Sequence, residues 1–406
     1  MTSILTNITV WVVALGYLVD IFDITLFAML RIESLRSLGV AQDQILSVGQ
    51  LLFNFQMAGM LVGGLFFGIL GDKSGRLRSL FASIILYSVG NLANAFVTTI
   101  PEYALCRFIS GVGLAGELGL GITLVAEILP KETRGIGTAM VATVGVLGAV
   151  VAGLFVEVLS WRQCYIVGGS MGILLLFLRL KVLESGMYEK LKEQTSVARG
   201  SVLLLFKSRQ RISLYILCVL VGLPIWYVAG IVMALSPEIA NELGVTDPVL
   251  SSRSIAISYI GLAVGDLSSG LLSQLLKSRK KVLYLFEAMT ILFLIILFQT
   301  SGGRNSSYFY ILCFLIGVGA GFWALFITIS AEQFGTNLRA TVATTVPNLV
   351  RASLILMSIL LLYLKPQVGL LQSAYIVGIV VFSLSLLATY FIKETFGKDL
   401  NYLEGR

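Results

Sequence analysis

The stretch Gly68-Ile-Leu-Gly-Asp72-Lys-Ser-Gly75-Arg76-Leu-Arg78 packs a tight cluster of charge between two long apolar runs. A chain that crosses lipid and turns back at the water surface is written this way. The apolar runs lie in hydrocarbon and the charged turn stays hydrated. Gly75 suits a turn that needs positive φ. Asp72 can accept hydrogen bonds from a helix N-terminus or pair with an arginine. Much further along, Lys277-Ser-Arg279-Lys-Lys281 follows another apolar run in the same manner.

Composition extends that reading to the whole chain. The 406 residues are 57% hydrophobic and only 13% charged, with a mean hydropathy of +0.92. A soluble domain has about 45–50% apolar and about 25% charged residues, so this chain cannot cover its own apolar surface and belongs in a bilayer. The net charge of +7 does not point to nucleic acid, because the basic residues sit in short loops between apolar spans, where they encode orientation. Cys106, Cys164, Cys218 and Cys313 lie far apart in apolar text, and no CxxC occurs. Neither a disulfide framework nor a metal site is expected, and no cofactor. With no histidine and no close Asp/Glu metal cluster, a polytopic membrane enzyme is disfavoured. Residues 1–7 lack a basic n-region, so the first span is expected to act as its own signal-anchor.

A helix needs about 20 apolar residues to cross the hydrocarbon. Spans are read at 8–30, 45–70, 77–98, 103–128, 135–158 and 162–182, then at 212–236, 253–276, 282–300, 308–330, 341–364 and 370–392. The expected organisation is a bundle over 1–182, a cytoplasmic linker over 183–211 carrying a basic surface helix, and a second bundle over 212–406 with a short tail. With the N-terminus inside, most of the 29 Lys and Arg fall on the cytoplasmic side, as the positive-inside rule requires. Both termini are then cytoplasmic, in a multi-pass plasma (inner) membrane protein. Pro224, Pro237 and Pro347 fall within or at the ends of spans 7 and 11, where they predict kinks.

An internal echo supports two related bundles. Gly111-Val-Gly113, Ala126-Glu127 and Arg134-Gly135 return as Gly317-Val-Gly319, Ala331-Glu332 and Arg339-Ala340. The Glu-to-Arg interval is the same in both. Gly68, Asp72, Gly75, Arg76 and Arg78 resemble the loop 2–3 motif of the major facilitator superfamily, and Ser278, Arg279 and Lys281 look like its worn copy, with Leu275 in the place of Asp72. The resemblance implies an all-α fold of twelve transmembrane helices in two pseudo-symmetric six-helix bundles around a cavity. It implies transport of a small molecule by alternating access.

Acids inside spans are the first functional candidates, since a charge at bilayer depth costs at least about 2.5–3.5 kcal/mol unless paired or hydrated. Asp20 and Asp23 share one face of span 1, and Arg107 on span 4 stands at the level Asp23 should reach. An Asp23–Arg107 ion pair is expected. That arrangement, with Arg107-Phe-Ile-Ser-Gly111-Val-Gly113, resembles the sugar-porter and metabolite:proton symporter branches, which implies proton coupling through Asp20 or Asp23. Glu117 reads as a second proton carrier, a substrate contact or a helix–helix hydrogen bond. Arg351, beside Asn348 and Pro347, reads as a substrate or gate element, or as the counter-charge of Asp266 or of an acid in the other bundle. Glu287 reads as structural. Trp226 and Tyr227 suit a cavity wall or an interfacial belt. Gln50, Asn54, Tyr259 and Trp323 complete the substrate candidates.

At the cytoplasmic ends, Glu127 with Arg134 and Glu332 with Arg339 look like the charge clusters that link half-bundles in sugar porters. With Asp72, Arg76, Arg78 and Arg279 they are the expected conformational latch. The tail Glu394-Thr-Phe-Gly397-Lys-Asp-Leu400 resembles the sugar-porter tail without its proline, and the Gln-rich span 7 element that binds hexoses there is absent. The substrate expected is a small polar or ionic metabolite, an organic acid, zwitterion or sugar-like compound. Proton symport by a monomer is the leading expectation, with a uniporter or a receptor-like relative as alternatives.

Overall fold

The computed structural model describes residues 8–74, 76–128, 134–182, 205, 207–300 and 302–397. All regular elements among them are helical. In chain order they are α1 (Ile8–Ser37), α2 (Ile45–Ser74), α3 (Arg76–Asn94), α4 (Ile100–Ile128), α5 (Arg134–Val158) and α6 (Trp161–Val182). Then come α7 (Arg209–Tyr227), which continues as a π-helical turn over Val228–Met233, α8 (Ser236–Glu242), α9 (Ser251–Leu275) and α10 (Arg279–Phe298). The last are α11 (Ser306–Ala320), α12 (Trp323–Glu332), α13 (Thr336–Ala352), α14 (Leu354–Val368) and α15 (Leu370–Phe391). Among the described residues, ten helical stretches are long and apolar enough to cross a membrane, and Ser79–Asn94 is a shorter apolar helix. With α4 they make the twelve spans. The expected surface helix of the 183–211 linker lies largely outside the described residues.

Local chemistry starts these helices where the sequence changes character. At α4 the Thr99 hydroxyl accepts from Glu102 N, while the Glu102 carboxylate accepts from the N–H groups of Thr98 and Thr99. This is a reciprocal capping box. Gln163 accepts from Ser160 N before α6, and Asn305 caps α11 through Tyr308 N. Two spans expected as single helices are broken. The tenth divides at Gly321–Phe322, between α11 and α12, and the eleventh at Ser353, between α13 and α14. The π-helical turn follows Pro224, which lacks the N–H that would continue the ladder.

The echo in the sequence is a repeated close approach of backbones. A Cβ at Gly59 or Gly63 of α2 would strike the backbone of α4 at Phe108 and Val112, and one at Gly111 would strike that of α2 at Gln56. In the second bundle Gly261 and Gly265 of α9 meet α11 at Phe314 and Val318, and Gly317 meets Ser258. Gly113 and Gly319 repeat the pattern against Tyr87 of α3 and Thr290 of α10. Small residues let helices pack at this range in lipid, where no hydrophobic force drives them together. The two bundles meet along α2 with α13 and α5 with α9. Between these lines the bundles enclose a small central cavity.

Candidate functional site

At mid-depth the crevice holds a buried ion pair between the bundles. Arg351 Nη2 of α13 lies 3.3 Å from Asp20 Oδ2 of α1, and both side chains are fully buried. The pair is incomplete: Asp20 Oδ1 and the Nε and Nη1 of Arg351 have no protein hydrogen-bond partner. Trp226 and Trp323 flank the guanidinium, with ring centroids 5.7 and 6.0 Å away. Just beyond lies a cavity of about 10 Å³ lined by Ile24, Thr25, Ala28, Phe53, Trp226, Ala229, Ile255 and Tyr259. Its wall is apolar and aromatic, with few hydroxyls. Gln50 is buried on α2, its Oε1 unpartnered by protein.

Further contacts tie α13 and α14 to the first bundle. Asn348 Nδ2 donates to Ala115 O at 3.0 Å, and the Ser358 hydroxyl donates to Asn54 Oδ1 at 2.7 Å. Asp266 on α9 accepts from Ala324 N at 3.1 Å, at the start of α12. It holds the break in the tenth span and sets the angle at which Trp323 leaves it. Tyr227 is not on the cavity wall. Its hydroxyl donates to Ala374 O of α15, because the helix rotates it one position past Trp226.

The expected Asp23–Arg107 ion pair is not formed within 4.0 Å among the described residues. Arg107 Nη2 donates instead to Asn91 at 2.7 Å, and its guanidinium sits 4.8 Å from the Tyr165 ring. Both Asp23 oxygens are buried without a protein partner, and a Cβ on Gly168 would lie 2.5 Å from Oδ1. Arg107 finds neutral acceptors on α3 before it reaches α1. Glu117 is bound by Arg179 of α6 through two hydrogen bonds, one of 3.2 Å and one shorter, with both side chains buried. Arg179, near the end of the sixth span, is buried inside the bundle by this pair. Glu287 accepts from Ser385 and Thr389 of α15.

At the other end of the second bundle Arg279 grips Glu332 with two hydrogen bonds of 2.6 and 2.7 Å. Both residues belong to that bundle, so the pair joins α10 to α12 rather than linking the two bundles as expected. The same knot holds the tail. Thr395 donates to Glu332, and the Glu394 carboxylate accepts from Ser278 Oγ and from the N–H groups of Arg279 and Lys280. Partial burial works to raise the Glu394 carboxyl. The Ser278 hydroxyl and the N–H groups of Phe396, Arg279 and Lys280 outweigh it and hold the carboxyl at about 2. Arg339 stands nearby, one nitrogen facing Phe334 O. Gly75, the surroundings of Gly68, and the side chains of Asp72, Arg76, Arg78, Glu127 and Arg134 lie outside the described residues.

Two helical bundles that face each other across a buried Asp–Arg pair have the architecture of a membrane transporter. The sequence model of the Major Facilitator Superfamily matches residues 13–352, and the chain belongs to that family, whose members are transporters and not enzymes. It is 27% identical over 383 residues to the sialic acid transporter NanX of Escherichia coli K12, covering 93% of this chain and 92% of the relative. It is 24% identical over 392 residues to the cis,cis-muconate transport protein of Acinetobacter baylyi, covering 94% and 92%. The fold is similar to that of the xylose transporter XylE from E. coli in its inward-open conformation, with a TM-score of 0.72 at 15% identity over 96% of this chain and 97% of that one.

Sequence reasoning missed Arg31, Glu238, Arg179 and Asn91. The first two stand at span ends, where charges read as surface residues. Arg179 sits beside Lys181, a spacing that looks like loop. A count of charge within each span, rather than at its edges, would have singled out Arg179.

Proposed function

We propose that this protein is a proton-coupled symporter of a small organic carboxylate. The Asp20–Arg351 pair carries the reading. Arg351 Nε and Nη1 are unpartnered, and once Asp20 leaves Nη2 either edge of the guanidinium becomes a fork that suits a second carboxylate. A substrate carboxylate that takes Arg351 displaces Asp20, and a carboxylate left buried without its counter-charge is neutralised by a proton. Anion and proton then cross together, with no net charge added to the crevice. Sialic acid and cis,cis-muconate, named for two relatives, are both carboxylates. The apolar and aromatic lining at Phe53, Trp226 and Tyr259 favours a substrate whose body is less hydroxylated than a sugar.

In this reading Trp226, Trp323, Tyr259 and Gln50 contact substrate. Asn54, Asn348 and Asp266 position the helices that carry those contacts. Asp23 and Arg107 serve proton movement, while Glu117 keeps Arg179 compensated. The protein acts as a monomer, with bundles 1–182 and 212–406 rocking about the 183–211 linker. Both termini face the cytoplasm of an inner membrane, as the bias of Lys and Arg supports.

Uptake of a panel of radiolabelled carboxylates into proteoliposomes, with and without an imposed proton gradient, tests this. The wild type accumulates its substrate only with the gradient. Asp20→Asn retains counterflow but loses accumulation. Gradient-driven accumulation by Asp20→Asn at the wild-type level would refute the assignment, and flux that ignores the gradient would make the protein a uniporter.

A further inference from the structure

A second, part-buried ion pair joins the bundles, one turn from the central cavity and on the wall of a larger one. Arg31, one turn beyond Ala28 on α1, places Nη2 2.5 Å from Glu238 Oε1 and 3.3 Å from Ala234 O. Its side chain is 2% exposed and that of Glu238 22%. Ala28 and Ala229 line the central cavity of about 10 Å³. Glu238, Asn241, Glu242, Ile32, Arg36 and Lys365 border a larger vestibule of about 360 Å³ whose wall mixes charged and apolar side chains. Glu238 lines this vestibule, and Arg31, its partner, follows Ala28 of the central cavity by one helical turn. Its α8 partner follows the π-helical turn after Pro224, and the Arg31 stem passes Gly49 of α2, where a Cβ would strike Arg31 Cδ.

We infer that Arg31 and Glu238 form the gate on the face opposite the chain termini, and that their pairing sets how often the crevice opens to the vestibule. In the closed form Arg31 is buried and Glu238 supplies its one counter-charge, while Arg31 Nε and Nη1 and Glu238 Oε2 have no protein partner. A buried pair with donors to spare is a poor source of stability when a hydrated alternative exists. When the bundles part there, both groups reach the water of the vestibule. The pair therefore holds the closed form by charge neutrality, and removing one partner raises the free energy of the closed form more than that of the open one. The rim pair Arg253–Glu157 also joins the bundles, but its side chains are 53% and 39% exposed. Such a pair contributes little and serves as the control.

The test reads accessibility rather than transport, so it is independent of the substrate and of proton coupling. Ala28→Cys is placed on a Cys106→Ala background, the other three native cysteines being buried. Its rate of labelling by a membrane-impermeant thiol reagent is measured in intact cells and in inverted vesicles, one of which presents the vestibule. Glu238→Gln is expected to raise the rate from the vestibule side at least about tenfold. The exchange Arg31→Glu/Glu238→Arg is expected to restore it, and Arg253→Ala to leave it unchanged. A rate unmoved by Glu238→Gln, or raised equally by the exchange, overturns the gate. If Glu238→Gln does not fold, Arg31→Cys/Glu238→Cys joined by a short bifunctional thiosulfonate decides. Labelling of Thr25→Cys on that background must stop when the link forms and return on reduction, and labelling that persists refutes the inference.

Discussion

Replacing Gly261 by alanine tests the packing on which the two-bundle architecture rests. A Cβ there would lie 2.9 Å from Val318 N and 3.1 Å from Phe314 C, and closer still to Phe314 O. These are backbone atoms, which no rotamer can move aside. To reach ordinary van der Waals range α9 and α11 must part by about 1 Å, which forfeits a quarter to a half of each contact's dispersion along the seam. Overpacking of this kind costs about 1–3 kcal/mol. Gly270 lies on the same helix with nothing within 4 Å of its Cβ position. Alanine there should gain up to about 1 kcal/mol in helix propensity. The two variants should therefore differ by about 1–4 kcal/mol, with wild type between them. Thermal unfolding of the detergent-solubilised protein, followed by intrinsic fluorescence and size-exclusion chromatography, measures the order. If Gly261→Ala unfolds with wild type, or Gly270→Ala proves the more damaging, the seam is not the tight contact described.

Two other predictions concern charges away from the crevice. Glu394 is held at about 2, below its ordinary value of 4.5, so it contributes stability that is present above about pH 4.5 and lost as pH falls through about 2. Glu394→Gln should lower stability at neutral pH by no more than about 1 kcal/mol, since the group is partly exposed, and the difference should close on acidification; a gap that widens in acid contradicts this sign. Glu117→Gln strands a buried Arg179 and should cost about 3–5 kcal/mol, whereas the double change Glu117→Gln/Arg179→Gln should recover most of it. Melting curves that rank the double variant below the single one would count against the pair as the cause.

The sequence carried the fold because its signals are one-dimensional. Span length, loop charge and the repeated Gly-Val-Gly runs need no knowledge of rotation, and the glycines sit where the helices touch. It also marked Asp20, Asp23, Glu117 and Arg351 as buried charges. The sequence offered Arg351 as counter-charge to Asp266 or to an acid of the other bundle without singling out Asp20, which lies 331 residues away, and a small helix rotation decides whether Arg107 meets Asp23 or Asn91. The break at Gly321–Phe322 was missed because it lies in text as apolar as an unbroken span, whereas in span 11 the kink expected at Pro347 is found as a break six residues later, at Ser353. Arg31 fell one residue beyond the end read for span 1, so a gate residue looked like a loop residue.

What distinguishes the two kinds of ion pair, fully buried or part-buried, is which bundles they join. Glu117–Arg179 and Arg279–Glu332 join helices of one bundle, so they travel together and do not sense which face is open. Arg31–Glu238 and Asp20–Arg351 cross between bundles, with the arginine on opposite sides in the two cases. Carrying a two-state equilibrium from one extreme to the other takes about 5.5 kcal/mol, and stranding one partner of a buried pair costs about 3–5 kcal/mol. One or two such pairs are therefore enough to govern the whole switch. Under the function proposed above, a carboxylate that exchanged with Asp20 at Arg351 would loosen the central tie without touching the distal one. The proposed gate would then set the direction of release: with Arg31 and Glu238 still joined, the bundles would part at the end that carries the chain termini.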